Sequence, residues 1–219
     1  DVSEYHKIQS IFKRDMSSKR KTLIEGDWTL PEFEYLAGNV WTFTEKVDGT
    51  NIRVIFKDGG IIFGGRTEDA QIPAQLVARL NERFLPLAAK LGEVFPDGAA
   101  VLYGEGYGAK IQKGGGNYRA DQDFVLFDVR VGQWWLQRAD VHDVAQKLGL
   151  DAVPVIGEGT LRKVKVHDWD HEPEDDPGIW LEGRPGHIIG LVLQDDSLAE
   201  TDISSALPFL PGLKPEDTV

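Results

Sequence analysis

Glu45-Lys46-Val47-Asp48-Gly49-Thr50-Asn51 joins two apolar runs, Val40–Val47 and Ile52–Lys57. Both runs read as strands, and Asp48-Gly49 between them is a strong hairpin signal. On an ideal strand alternate residues share a face, so Thr44, Lys46 and Asp48 are expected on one side. The turn then returns Asn51 and Arg53 beside Lys46. A nucleophile, a carboxylate, an amide and a guanidinium would converge there. A lysine that attacks phosphorus must be unprotonated, and a free lysine has a pKa near ~10.4. Burial or a nearby cation has to supply the neutral form.

Outward from this stretch the pattern mixes α and β. Ile61-Ile62-Phe63 follows a second turn, Asp58-Gly59-Gly60. Residues 73–91 carry Leu76, Leu80 and Phe84 at helical spacing, with Pro86 as a break. Ala99–Tyr103 and Phe124–Val129 read as buried strands, and Val131–Trp135 continues a hairpin. Ala139–Leu148 reads as a short helix that Gly149 stops. Ile188–Leu193 suits one more strand. Short strands joined by tight turns, with a few flanking helices, predict an α+β fold with largely antiparallel sheets. Gly104-Glu-Gly-Tyr-Gly and Lys113-Gly-Gly-Gly-Asn117 suit either phosphate-approaching backbone or flexible loops.

Composition narrows the class. The chain has 219 residues, 41% of them hydrophobic, and no cysteine. Disulfide-linked partners and thiolate metal sites are excluded. No run approaches the ~18 apolar residues of a membrane span, and the N-terminus has no apolar signal core, so a cytoplasmic protein is expected. The net charge of -12 is unevenly spread. Residues 1–165 hold 23 acidic and 22 basic residues, whereas residues 166–219 hold 13 acidic and 2 basic ones. A nearly neutral region 1–165 is therefore expected to be the functional domain, followed by an acidic segment, 166–219.

Four stretches in order resemble the motifs of the covalent nucleotidyltransferases, over roughly residues 4–161. Lys46-Val-Asp48-Gly-Thr-Asn51 is similar to motif I, and Asn51 at its end resembles RNA ligases of the RNA ligase 2 type. Phe63-Gly-Gly-Arg66-Thr resembles motif Ia, Leu102-Tyr-Gly-Glu105-Gly motif III, and Phe124-Val-Leu-Phe127-Asp-Val motif IIIa. The resemblance implies a nucleotidyltransferase (ATP-grasp-like) domain that uses ATP with Mg²⁺ or Mn²⁺. Lys46 would accept AMP, which then passes to RNA ends or a nicked duplex during RNA repair. It further implies that Asn51 and Arg66 serve the nucleotide phosphates or RNA, Glu105 the ribose, and Phe127 and Glu45 the adenine; Asp48 and Arg53, converging on Lys46, are expected to bind the nucleotide as well. Lys110 and Lys113 suit RNA phosphates. On strand alternation Asp128 is expected to face away from Phe127.

The pattern breaks after residue 165. Glu182-Gly183 resembles the start of motif IV, whose carboxylate helps place metal, yet Arg184-Pro185-Gly186 follows instead of a strand. Lys163-Val-Lys165 has the Lys-x-Lys form of motif V but precedes Glu182, as a displaced substitute. Loss of catalysis with retained nucleotide or RNA binding is the alternative expectation.

Overall fold

The computed structural model describes residues 4–6, 9–17, 23–166, 179–181 and 191–194. Its strands and helices run β1 (Phe12–Arg14), β2 (Leu23–Trp28), α1 (Pro31–Leu36), β3 (Trp41–Glu45), β4 (Gly49–Lys57) and β5 (Gly60–Gly64). There follow α2 (Ala74–Phe84), α3 (Ala88–Val94), β6 (Ala99–Gly108), β7 (Gln122–Val131), β8 (Trp134–Trp135) and α4 (Arg138–Leu148). β9 (Val155–Gly159), β10 (Val164–Val166), β11 (Ile179–Leu181) and β12 (Leu191–Gln194) complete the order. The mixed α/β architecture with mainly antiparallel pairing is as expected; β10 and β11 pair in parallel. No helix among the described residues is long and apolar enough to cross a membrane.

The chain divides into two compact units. The first holds residues 4–6 and 47–153 of those described. Its five-stranded sheet has the order β5-β4-β6-β7-β8. Ile52, Val54 and Phe56 of β4, Leu102 of β6, and Phe124, Leu126 and Val129 of β7 point to one face. There Leu76, Leu80 and Phe84 of α2 cover them, all fully buried, along with Leu91 of α3 and Val141 and Leu148 of α4. Burying each such side chain contributes roughly 1.5–3 kcal/mol. Pro86 interrupts the helical run as expected, with a 3-10 turn over Leu85–Leu87 separating α2 from α3. Gly149 caps α4 with a left-handed φ of 66°.

The second unit holds residues 9–17, 23–46 and 154–166 with the two later strands. β3 is the middle strand of a three-stranded sheet, between β12 and β9. Trp41 and Phe43 of β3 are fully buried, and the Trp41 indole donates to the Leu36 carbonyl at 3.0 Å.

Asp48-Gly49 does not make a hairpin. β3 and β4 belong to different sheets, and neither Asp48 nor Gly49 takes a left-handed φ. Gly49 instead opens β4 directly opposite Tyr107 of β6. A Cβ there would lie 2.1 Å from the Gly106 carbonyl oxygen, so close strand approach is what requires glycine. Lys46 accordingly stands outside any strand, and the expected common strand face of Thr44, Lys46 and Asp48 does not form.

The glycines near the motifs are built in. Gly104 and Gly106 lie within β6, where a Cβ would strike the Phe124 ring at 2.2 Å and Leu76 at 2.4 Å. Within the triple glycine Gly115 is likewise packed, since a Cβ there would meet the Gly108 carbonyl at 2.0 Å, whereas Gly116 has open space around it. Residues 109–121 fold on themselves, with the Ala109 amide donating to Arg119 and Asp121 carbonyls. Arg119 fixes the loop's end by ion pairs to Asp121 and Asp123 and by lying 5.7 Å over the Tyr107 ring. Arg79 and Arg83 of α2 reach the same buried Asp123 carboxylate at 3.1 and 2.6 Å.

Candidate active site

The sheet face opposite the helices in the first unit carries Asn51, Arg53, Glu105 and Phe127 of the expected site. Asn51 of β4 stands directly across from Glu105 of β6, which stands across from Val125 of β7. Directly opposed side chains have their Cβ atoms about 4.5–5.5 Å apart. The next row is Arg53, Tyr103 and Asp128. Asn51 and Glu105 are half-buried, and the Asn51 Oδ1 is buried with no hydrogen-bond partner. An unmet polar atom in that position is available to a ligand and costs free energy until one binds.

A register shift in β7 changes the expected placement of Asp128. Gly104 pairs with Leu126 and Tyr103 with Asp128, so Phe127 is the extra residue of a bulge. The bulge cancels simple alternation. The Tyr5 hydroxyl donates to Asp128 Oδ2 at 2.9 Å while its ring lies 5.1 Å from the Phe127 ring. One tyrosine thus touches both, and Asp128 does not face away from Phe127. Phe127 is half-buried and also packs on Val47, Val125 and Val153.

Around the motif the structure supplies contacts that sequence reading missed. The Asp48 amide donates to the Tyr118 hydroxyl at 3.3 Å, and Gln112 donates to the Gly49 carbonyl at 2.8 Å. Loop 109–121 therefore grips the backbone of Asp48-Gly49. Its tight glycine sequence was the available signal, whereas Tyr5, 123 residues from Asp128, offered none. Arg66 follows β5 and is exposed, as are Lys110 and Lys113. Arg53 is only 3% exposed, and its Nε donates to the Gly65 carbonyl at 2.8 Å.

Glu45 and Lys46 belong to the second unit, and the chain enters the first at Val47. Glu45 ends β3, with its amide donating to the Pro154 carbonyl at 2.9 Å. Burial pushes its carboxyl above the ordinary carboxylate value. Lys163 ends a 3-10 turn and Lys165 lies in β10. Glu182 lies outside the described residues. Among the described residues no three His, Cys, Asp or Glu side chains converge as a metal cluster.

The RNA ligase family model matches residues 39–200, and the chain belongs to that family. Its fold is similar to solved structures of an RNA ligase from Naegleria gruberi. A glutamate-to-alanine variant with ATP and Mn is 18% identical, covers 89% of this chain and 55% of that one, and has a TM-score of 0.55. A lysine-to-alanine variant with ATP and Mn is 22% identical over 74% and 48% of the two chains, with a TM-score of 0.52. A lysine-to-methionine variant with AMP and Mn is 23% identical over 60% and 40%, at 0.50. The chain thus spans about half the length of these ligases. Comparison with curated proteins gives no match.

Proposed function

We propose that the chain is an ATP-dependent adenylyltransferase of the RNA-ligase kind and that Lys46 is its nucleophile. The observation that carries the reading is the sheet face on which Asn51, Glu105 and the bulged Phe127 gather, five residues and more along the chain from Lys46. The Lys46 amine attacks the α-phosphorus of ATP. A P–N bond forms, the P–O bond to pyrophosphate breaks, and the amine proton leaves to solvent. AMP then passes to an RNA 5′-phosphate, and a 3′-OH displaces it to seal the strand.

Asn51 and Arg66 hold phosphate, Glu105 the ribose hydroxyls, and Phe127 and Glu45 the adenine, with Asp48 completing the set. Lys110, Lys113 and the displaced Lys163 and Lys165 supply cations for RNA or the phosphates. Mg²⁺ or Mn²⁺ enters with the triphosphate as part of the substrate, where it neutralises charge on the departing pyrophosphate. Residues 1–165 form the adenylyltransferase part and residues 166–219 an acidic, diverged segment, a remnant or a replacement of the last motifs, Glu182 among them. A reducing cytoplasm suits a chain without cysteine.

Incubation with α-labelled ATP and metal is expected to give a protein adduct with phosphoramidate behaviour, stable to alkali and cleaved by acid and by acidic hydroxylamine, that Lys46→Ala abolishes. Failure of the wild-type protein to form it contradicts the reading. One observation favours a second reading, a nucleotide- or RNA-binding protein without catalysis. β12, the hydrogen-bonded neighbour of β3, reads Leu-Val-Leu-Gln and brings no cation beside the strand that leads to Lys46. ATP binding without an adduct would select it, and nick-joining assays on RNA and DNA separate the possible substrates.

A further inference from the structure

We propose that Arg53 is a positioning residue, which locks the Gly64-Gly65-Arg66 turn and so aims the exposed Arg66 guanidinium, rather than a residue that touches the nucleotide. The proposal deepens the reading above and rests on it for the role of Arg66.

Arg53 pairs in register with Gly64 across the β4–β5 hairpin. Its guanidinium lies over that glycine, since a Cβ on Gly64 would come within 3.2 Å of Nη2 and 3.3 Å of Nε. From there Nε donates to the Gly65 carbonyl at 2.8 Å. That carbonyl belongs to the peptide unit leading into Arg66. The turn is held from the other side too. A Cβ on Gly65 would lie 2.7 Å from the Ala70 Cβ, and the Ala70 amide donates to the Thr67 carbonyl at 3.2 Å. Gly64 makes room for the guanidinium, Gly65 for Ala70, and Arg66 is the first residue with a side chain to emerge. Arg53 as a whole residue is only 3% exposed and so offers little surface to a diffusing phosphate, whereas Arg66 is exposed. Lysine lacks both the planar fork and a donor at the Nε position, so it is a poor substitute.

The test uses the full chain as wild type, Arg53→Met, Arg66→Met and the double variant. Amide exchange without nucleotide reads the turn, and label transfer from ATP reads its consequence. Loss of the bond from Nε to the Gly65 carbonyl predicts roughly tenfold faster exchange over residues 64–70 in Arg53→Met. Exchange in β7 should stay unchanged. Arg53→Met and Arg66→Met should impair the same kinetic parameter, KM or kcat, and the double variant should be no worse than Arg66→Met. Unchanged exchange at residues 64–70, or losses that multiply in the double variant, overturns the proposal. If Arg53→Met fails to fold, Gly64→Ala displaces the guanidinium while keeping it, and should loosen the same residues. If the wild type forms no adduct, the reading of the site falls. The exchange arm then decides the Arg53 proposal alone, faster exchange supporting it and unchanged exchange ending it.

Discussion

Two Asp-Gly pairs lie ten residues apart in this chain, and they do opposite things. Asp58-Gly59 takes φ values of 50° and 78°, joins β4 to β5 as a two-residue type I′ hairpin, and its glycine has open space around it. Asp48-Gly49 makes no turn. It carries the chain from one sheet into another, and its glycine is pressed on the Gly106 carbonyl. The first glycine is there for a dihedral angle and the second for lack of a side chain. Both are legitimate uses of the residue, and two letters of sequence do not separate them.

Substitutions sharpen this contrast. Gly49→Ala should have the largest effect, about 3 kcal/mol of stability in a denaturant titration, because backbone rather than a flexible side chain blocks the new methyl. Asp123→Asn comes next, since it loosens the arginine that anchors loop 109–121, and hence the grip on Gly49. Removing one partner from a buried pair costs roughly 3–5 kcal/mol, and the other exposed carboxylates around these arginines reduce that to about 2 kcal/mol. Burial opposes the Asp123 charge, but bonds from Arg79, the Phe124 amide and Arg83 overcome it and hold the carboxyl below its ordinary value. Such a group stabilises above the unfolded carboxylate pKa of about 3.9. The wild-type advantage over Asp123→Asn should therefore shrink as pH falls below that range, followed by thermal unfolding.

Gly59→Ala should cost only about 1 kcal/mol, the strain of a left-handed alanine with nothing to strike. A cost equal to that of Gly49→Ala would mean that the two glycines serve the same purpose. Glu45→Gln should have the smallest effect and the opposite sign. Burial raises the Glu45 pKa, so the folded state holds its proton more tightly and loses stability as pH rises through the carboxyl range. The glutamine variant should melt slightly higher at neutral pH, with the difference vanishing in acid.

Local rules carried much of the fold. The periodic Leu76, Leu80 and Phe84, the stop at Pro86, the Asp58-Gly59 hairpin and the cap at Gly149 all depend on neighbours within a turn or two. What failed depended on distant partners. The pairing of β3 with β9 and β12 rather than with β4 is settled by strands more than 100 residues away. The bulge at Phe127 is set by the register against β6, and the grip of Gln112 on Gly49 joins residues 63 apart. At the candidate site, sequence order identified Asn51, Glu105 and Phe127, and the sheet gathers them. The supporting residues Tyr5, Gln112 and Tyr118 were invisible because their contacts are made across the fold.

Mapping the adduct decides whether Lys46 is the residue that receives AMP. After incubation with ATP and Mg²⁺ or Mn²⁺, the protein is digested and the peptides are sequenced by tandem mass spectrometry. One adenylyl group is expected, on Lys46. An adenylyl group on another lysine instead, such as Lys110 or Lys113, or none on the wild-type protein, would contradict it.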